Sequence, residues 1–207
     1  MITLYIDTSD KDVSIAIIKD NKLLNEITKT IPSEHSIYTV PYLKEILDDC
    51  NLSPNDIDNI MVVNGPGSFT GVRIGITIAK VYAYLLNKDI RTISSLKSLA
   101  LSTKDKYILS IIDAKHNNYY IGLYDNSYNE IIKEQFTNID KVIDLINKYN
   151  PIIVSNSSIE INNKNYSKTK INIPNVVSYY INTPTINPHL VVPNYLKLPE
   201  AMEHKND

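Results

Sequence analysis

The chain has 207 residues, 43% hydrophobic and 21% charged, the balance of an ordinary globular protein with material for one core or two small ones. Lys+Arg 21 against Asp+Glu 23 leaves a net charge of -2, without the basic excess by which a protein grips nucleic acid unaided. One cysteine, Cys50, leaves no disulfide framework or multi-cysteine zinc site; no run has the length of a signal core or membrane span, so a cytoplasmic protein without membrane contact is expected.

In chain order, Ile2–Ile6, Val13–Ile18 and Leu23–Thr30 read as three strands joined by polar turns, an antiparallel meander. The period then changes. From Ser36 to Cys50, Val40, Leu43, Leu47 and Cys50 recur at helical spacing, and Pro41 either opens the regular helix or kinks it. Ser53-Pro54 with Asp56 starts a short helical turn. Ile60–Val63 is a buried-type strand, Thr70–Leu86 a long helix and Ile90–Ile93 another strand. At Ser102–Asp105 the composition turns polar, marking a boundary between a lobe at 1–103 and a second at 104–207. Strands at Tyr107–Asp113, Tyr119–Tyr124 and Glu130–Thr137, a helix at Ile139–Lys148 and a strand at Ile152–Ser155 restate the opening in shorter form. The polar stretch 156–170 has no assigned element, and Pro184, Pro188, Pro193 and Pro199 predict an extended tail. The pattern is an α/β fold of two lobes, the second reduced.

Four of the five glycines, Gly65, Gly67, Gly71 and Gly75, fall within eleven residues between a strand and a helix. Such a place suits an anion, a close approach of another chain, or a tight structural turn. The familiar phosphate and nucleophile loops fail on spacing. No Lys-Ser or Lys-Thr follows the last Gly, a dinucleotide loop would need Gly at Thr70, and a hydrolase elbow would need Gly at Pro66 and Thr70 around Ser68.

The helix that follows is more informative. Arg73, Thr77, Lys80 and Tyr84 form a narrow polar stripe, and nearly everything else is apolar, far wider than the ~100° stripe one sheet face needs. The preceding helix carries a second apolar stripe of Tyr38, Tyr42 and Ile46 beside its core stripe. We read these residues, with Ile74, Ile78, Tyr82 and Leu85, as a protein–protein interface.

The run Gly65-Pro66-Gly67-Ser68-Phe69-Thr70-Gly71-Val72-Arg73-Ile74-Gly75 resembles the GPGSFTG-x-R-I-G signature of the TsaB (YeaZ) family. The opening Ile6-Asp7-Thr8-Ser9 with Val13–Ala16 is similar to that family's first hairpin, and His35-Ser36 with Pro41 and Leu47 to its first helix. Asp113-Ala114 with Tyr119-Tyr120 resembles its D-A-R-x-x-E-V-Y segment, with Lys115 and Asn118 as departures, and Asn194–Lys197 resembles a terminal P-x-Y-L-R with Lys for Arg. The resemblance implies a two-lobed actin/Hsp70/acetate-kinase-like (ASKHA) fold with duplicated mixed sheets. It also implies a non-catalytic subunit that pairs with its paralogue TsaD through the two helices above. With TsaE, that assembly transfers threonylcarbamoyl from its adenylate to N6 of the adenosine beside the tRNA anticodon. ATP and metal are then expected in TsaD and no cofactor in this chain. Contact with tRNA is expected only through the complex; for the chain alone, the unpaired apolar face leaves a homodimer and a monomer both open.

The metal motif of the paralogue, a His-Met-Glu-Gly-His-type sequence after the next strand, corresponds here to Ser94-Ser-Leu-Lys-Ser-Leu99, without histidine or carboxylate. His35, His116, His189 and His204 are scattered and read as surface or hydrogen-bonding residues. Asp7 and Thr8 stand where active members of the superfold hold phosphate and metal, so they are the nucleotide-contact candidates; a self-satisfied turn is the competing reading. Ser94-x-x-Lys97 has nucleophile–base spacing without its companion motifs, and Lys115-His116 could touch RNA or a partner. Two other functions compete: a small active phosphotransferase of the same fold, and a protease, for which no Ser-His-Asp or Cys-His spacing exists.

Overall fold

The computed structural model describes residues 1–31 and 34–197. Strands β1 (Ile2–Asp7), β2 (Asp12–Lys19) and β3 (Lys22–Thr30) form the expected meander. Helix α1 (His35–Asp49), strand β4 (Asn59–Gly65), helix α2 (Phe69–Leu85) and strand β5 (Asp89–Ser94) follow. The first sheet has the order β3-β2-β1-β4-β5, antiparallel through the meander and parallel where β4 joins β1 and β5. Both its faces are covered, so its inner strands are almost continuously apolar. Leu4, Ile6, Ile60 and Val62 point to one core under α1 and α2. Their neighbours Tyr5, Met61 and Val63 point to a second core on the other face, as the two-residue period of a strand requires.

A short helix α3 (Ser95–Ala100) leads into strands β6 (Tyr107–Asp113), β7 (Asn118–Asp125) and β8 (Glu130–Asn138), helix α4 (Ile139–Tyr149) and strand β9 (Ile152–Ser155). The second sheet, β8-β7-β6-β9, repeats the first without its fifth strand. Leu109 and Ile111 pack against α4 residues such as Val142 and Leu145, while Ile108 and Ile112 pack with Leu96, Leu99 and Ala100 of α3. This is the duplicated α/β architecture with a reduced second lobe.

Three local readings need correction. The polar stretch 156–170 contains the hairpin β10 (Ile159–Ile161) and β11 (Lys164–Tyr166), where the sequence predicts no element. Helix α5 (Ile173–Tyr180) follows; Asn172 caps it by accepting from the Asn175 N–H, and Pro174 occupies its first turn. The chain after β11 also leaves the second lobe. Ile173, Val176 and Val177 close the outer core of the first sheet, and the tail continues along α2, with Ile186 bridged to Ile90 of β5 and Val191 buried in the first core. The boundary read at residue 103 falls in the turn between α3 and β6. Within α1, Val40 is 47% exposed whereas Ile46 is fully buried, the reverse of the expected assignment. His204 and Pro199 lie outside the described residues.

Candidate docking face and signature loop

The glycine-rich loop is shaped by the turn after β1. Gly65 ends β4 with φ 105, a conformation glycine adopts without steric cost. Ser68 caps α2, its hydroxyl accepting from the Gly71 N–H at 3.1 Å. The Ser68 N–H donates to the Ser9 carbonyl at 2.7 Å, and the Thr8 hydroxyl donates to the Gly71 carbonyl at 2.7 Å. A Cβ on Gly67 would lie 2.2 Å from the Ser9 carbonyl oxygen, one on Gly71 2.1 Å from that of Thr8, and one on Gly75 2.4 Å from the Thr8 hydroxyl. The glycines thus make room for Thr8-Ser9 to seat on the first turns of α2.

This contact decides where the nucleotide-contact candidates stand. Thr8 is fully buried with its hydroxyl engaged, so it offers no surface to a ligand. Asp7 is half-buried and accepts from both the N–H and the hydroxyl of Ser9, at 2.8 and 2.7 Å. Burial pushes its carboxyl above the usual carboxylate range, partly opposed by those Ser9 bonds. Beside this turn a cleft of about 750 Å³ opens between the lobes, lined by Asp10, Lys11, His35, Asp113, Lys115 and Asn156 among others. Its charges are mixed: Lys115 pairs with Asp113 at 2.8 Å, and Asp10 lies 3.8 Å from Lys168, a residue outside the cleft that pairs with Asp12 at 2.5 Å.

The other candidates fall elsewhere. Ser94 caps α3, and its hydroxyl donates to Glu134 at 2.5 Å. The Lys97 ammonium points away from Ser94 to the Tyr128 carbonyl and over the Tyr124 ring, so the two form no nucleophile–base pair. Burial lowers the Lys97 pKa, partly opposed by the charges of Glu130, Glu134 and Asp125. His35 is buried with Nε2 2.8 Å from the Asp10 carbonyl oxygen. His116 lies in the exposed β6–β7 turn, and His189 packs edge-on against Tyr84. Among the described residues no three His, Cys, Asp or Glu side chains converge as a metal site, and no serine or cysteine side chain hydrogen-bonds a histidine ring.

The apolar surface lies on α1 and α2. Tyr38 and Tyr42 stack at 5.8 Å. Ile74, Ile78 and Tyr82 are partly buried along the seam between the helices, and Leu85 is 71% exposed. Ile46, expected with them, belongs to the core, where it faces the sheet with Leu43 and Leu47. Four exposed residues missed in the sequence extend the surface: Ile37, Val40, Phe69 and Val81. The spacing of Ile37 and Val40, three residues apart on α1, was the available signal. Val40, Phe69, Ile74 and Ile78 line an open groove of about 430 Å³. The polar stripe of α2 also has a reason. It receives the C-terminal tail: Lys80 Nζ donates to the carbonyls of His189 and Val191 at 3.2 and 3.0 Å, and Arg73 Nε donates to the Tyr195 hydroxyl at 2.7 Å. No helix among the described residues is long and apolar enough to cross a membrane.

Comparisons with known proteins bear on this arrangement. The family model described as TsaD: tRNA N6-adenosine threonylcarbamoyltransferase matches residues 22–183. The tRNA threonylcarbamoyladenosine biosynthesis protein TsaB of Bacillus subtilis is 39% identical over 126 residues, 60% of this chain. In that match the chain spans 55% of the relative's length. The TsaB of Haemophilus influenzae is 26% identical over 221 residues, covering 94% of this chain and 92% of that protein. Among solved structures, YeaZ from Pseudomonas aeruginosa superimposes with a TM-score of 0.76 at 20% identity, over 94% of this chain and 99% of that one. An uncharacterized protein of the same organism, described as similar to peptidase YeaZ, gives 0.77 at 20% identity, over 95% of this chain and 99% of that one. At these identities the likeness is one of fold.

Proposed function

This chain belongs to the TsaB (YeaZ) family, within the wider family of the TsaD threonylcarbamoyltransferase model, and from that premise we propose that it is a non-catalytic scaffold subunit of tRNA threonylcarbamoyladenosine synthesis. It docks on TsaD through α1 and α2. With TsaE, the assembly transfers threonylcarbamoyl from its adenylate to N6 of the adenosine 3' of the anticodon. ATP and metal belong to TsaD, and tRNA is met through the complex, in the cytoplasm.

The observation that carries this reading is the uncovered apolar face. Two adjacent helices each expose large apolar side chains, Ile37, Tyr38 and Val40 on α1 and Phe69, Val81 and Leu85 on α2, and Val40, Phe69, Ile74 and Ile78 share one groove, where a surface facing only water would be polar. The rival phosphotransferase reading needs amides and hydroxyls open to phosphate at the first hairpin and the glycine loop. The Ser68 and Gly71 N–H groups and the Thr8 and Ser9 hydroxyls are instead engaged within the protein, which supports the scaffold. A protease finds no support in the histidine environments.

The test is co-purification with TsaD of the same organism, comparing wild type with Tyr38→Asp combined with Ile78→Asp. Charges placed on an apolar interface core weaken it by about tenfold or more. Undiminished recovery of TsaD with the double variant would place the docking face elsewhere.

A further inference from the structure

We propose that Arg73 is a preorganised anchor of the docking face, and that it takes a carboxylate from the partner. The proposal rests on the docking reading and adds to it the partner's chemistry: an apolar surface with an aspartate or glutamate at the edge that meets the first turns of α2.

Arg73 is exposed, yet its side chain is held by two residues, Phe69 and Tyr195. Its guanidinium carbon lies 3.6 Å from the centre of the Phe69 ring and 5.7 Å from that of Tyr195, two rings stacked at 5.8 Å with 29° between their planes. Its Nε donates to the Tyr195 hydroxyl at 2.7 Å. Tyr195 is fixed in turn by the tail. The Asn194 N–H donates to the Asn64 carbonyl at 2.7 Å, the Asn64 side chain donates to the Val192 carbonyl at 3.3 Å, and Val191 is buried in the core. The anchor is therefore built from two parts of the chain far apart in sequence.

Among the described residues Nε is the one guanidinium nitrogen with a hydrogen-bond acceptor. The two terminal nitrogens remain for another molecule, and such a planar pair matches a carboxylate with two parallel hydrogen bonds. Arg73 also forms part of the wall of the apolar groove with Val40, Ile74 and Ile78, and no acid lines that groove. The complementary negative charge must therefore come from what fills it. A clamped arginine gives up little rotamer freedom on binding, which is the condition under which arginine and tyrosine dominate interfaces.

The experiment is a calorimetric titration of TsaD with wild type, Arg73→Ala, Arg73→Lys, Tyr195→Phe and Ile78→Asp, after checking that each variant unfolds at the wild-type urea midpoint. Arg73→Ala is expected to bind about tenfold or more weaker. Arg73→Lys keeps the charge and loses the paired geometry, so it should also weaken binding by several-fold, as should Tyr195→Phe, which frees the guanidinium to rotate. Arg73→Glu should be rescued by a single Asp→Arg or Glu→Arg change on TsaD. If Ile78→Asp abolishes binding while Arg73→Ala stays within about twofold of wild type, the anchor is wrong and the docking face stands. If wild type itself does not bind, the docking reading falls first. If Arg73→Ala turns a self-associated chain into monomer without changing TsaD binding, the carboxylate belongs to a second copy and the proposal is overturned.

Discussion

Gly71 carries no side chain because the Thr8 carbonyl oxygen occupies that space, 2.1 Å from where a Cβ would stand. Backbone on both sides must move to admit an alanine, so Gly71→Ala should cost roughly 1–3 kcal/mol, the range of overpacked sites. Gly75→Ala should cost less, because it meets the Thr8 hydroxyl rather than backbone. Urea unfolding followed by circular dichroism checks the order; equal midpoints for wild type and Gly71→Ala would show that the loop yields. The glycine cluster was legible in the sequence, and so was the failure of each phosphate motif. Its physical cause was not, since Thr8 and Gly71 are 63 residues apart and no local pattern joins them. The same distance hid the surroundings of Thr8: a threonine after a strand looks open until the helix whose Gly71 carbonyl its hydroxyl meets is in place. The clamp on Arg73 was invisible for a similar reason, because its Tyr195 comes from a tail read only as extended chain.

Helices α1 and α2 show where periodicity succeeds and where it slips. The apolar excess of α2 is a property of one segment, and its uncovered side was legible without the structure. On α1 the assignment of faces failed by a rotation. Val40 and Ile46 are six residues apart, about 120° around a helix, so choosing Val40 for the core turned Ile46 outward. The sheet decides otherwise: Ile46 meets it beside Leu43, and Thr39 takes the buried place one turn earlier, its hydroxyl donating to the His35 carbonyl at 2.6 Å. Ile46→Ala should therefore cost about 2–5 kcal/mol as a cavity-forming core change, while Val40→Ala should change stability by less than about 1 kcal/mol. Denaturant midpoints separate the two, and a larger loss for Val40→Ala would contradict the assignment of faces. Helix α5 escaped because its eight residues are too few to establish a helical period among polar neighbours, whereas the strands of both meanders announced themselves by short apolar runs between Asn- and Asp-rich turns.

At the scale of the whole molecule, two sheets of the same order, one lacking its last strand, are tied by side chains that local sequence cannot pair. Lys168 reaches Asp12, and Glu134 of β8 accepts from Ser94 at the end of β5. The tail then returns along α2 and continues to the second lobe, where Lys197 lies over the Phe136 ring. The lobes were legible because each opens with its own meander. The return of α5 and the tail to the first lobe was not, because it depends on which surfaces the lobes leave bare. What results is an exposed apolar face on two helices, the proposed docking face, with the tail strapped along α2, beside a first hairpin whose Thr8 and Ser9 hydroxyls are engaged internally.

That contrast sets the decisive measurement: threonylcarbamoyl transfer to tRNA in a reconstituted mixture with TsaD and TsaE, supplied with wild-type chain, Tyr38→Asp/Ile78→Asp, Asp7→Asn or none. The scaffold account predicts full transfer with wild type and with Asp7→Asn, and transfer lost with the docking variant and without the chain. Transfer that persists without the chain, or that vanishes with Asp7→Asn while TsaD binding is intact, would contradict it.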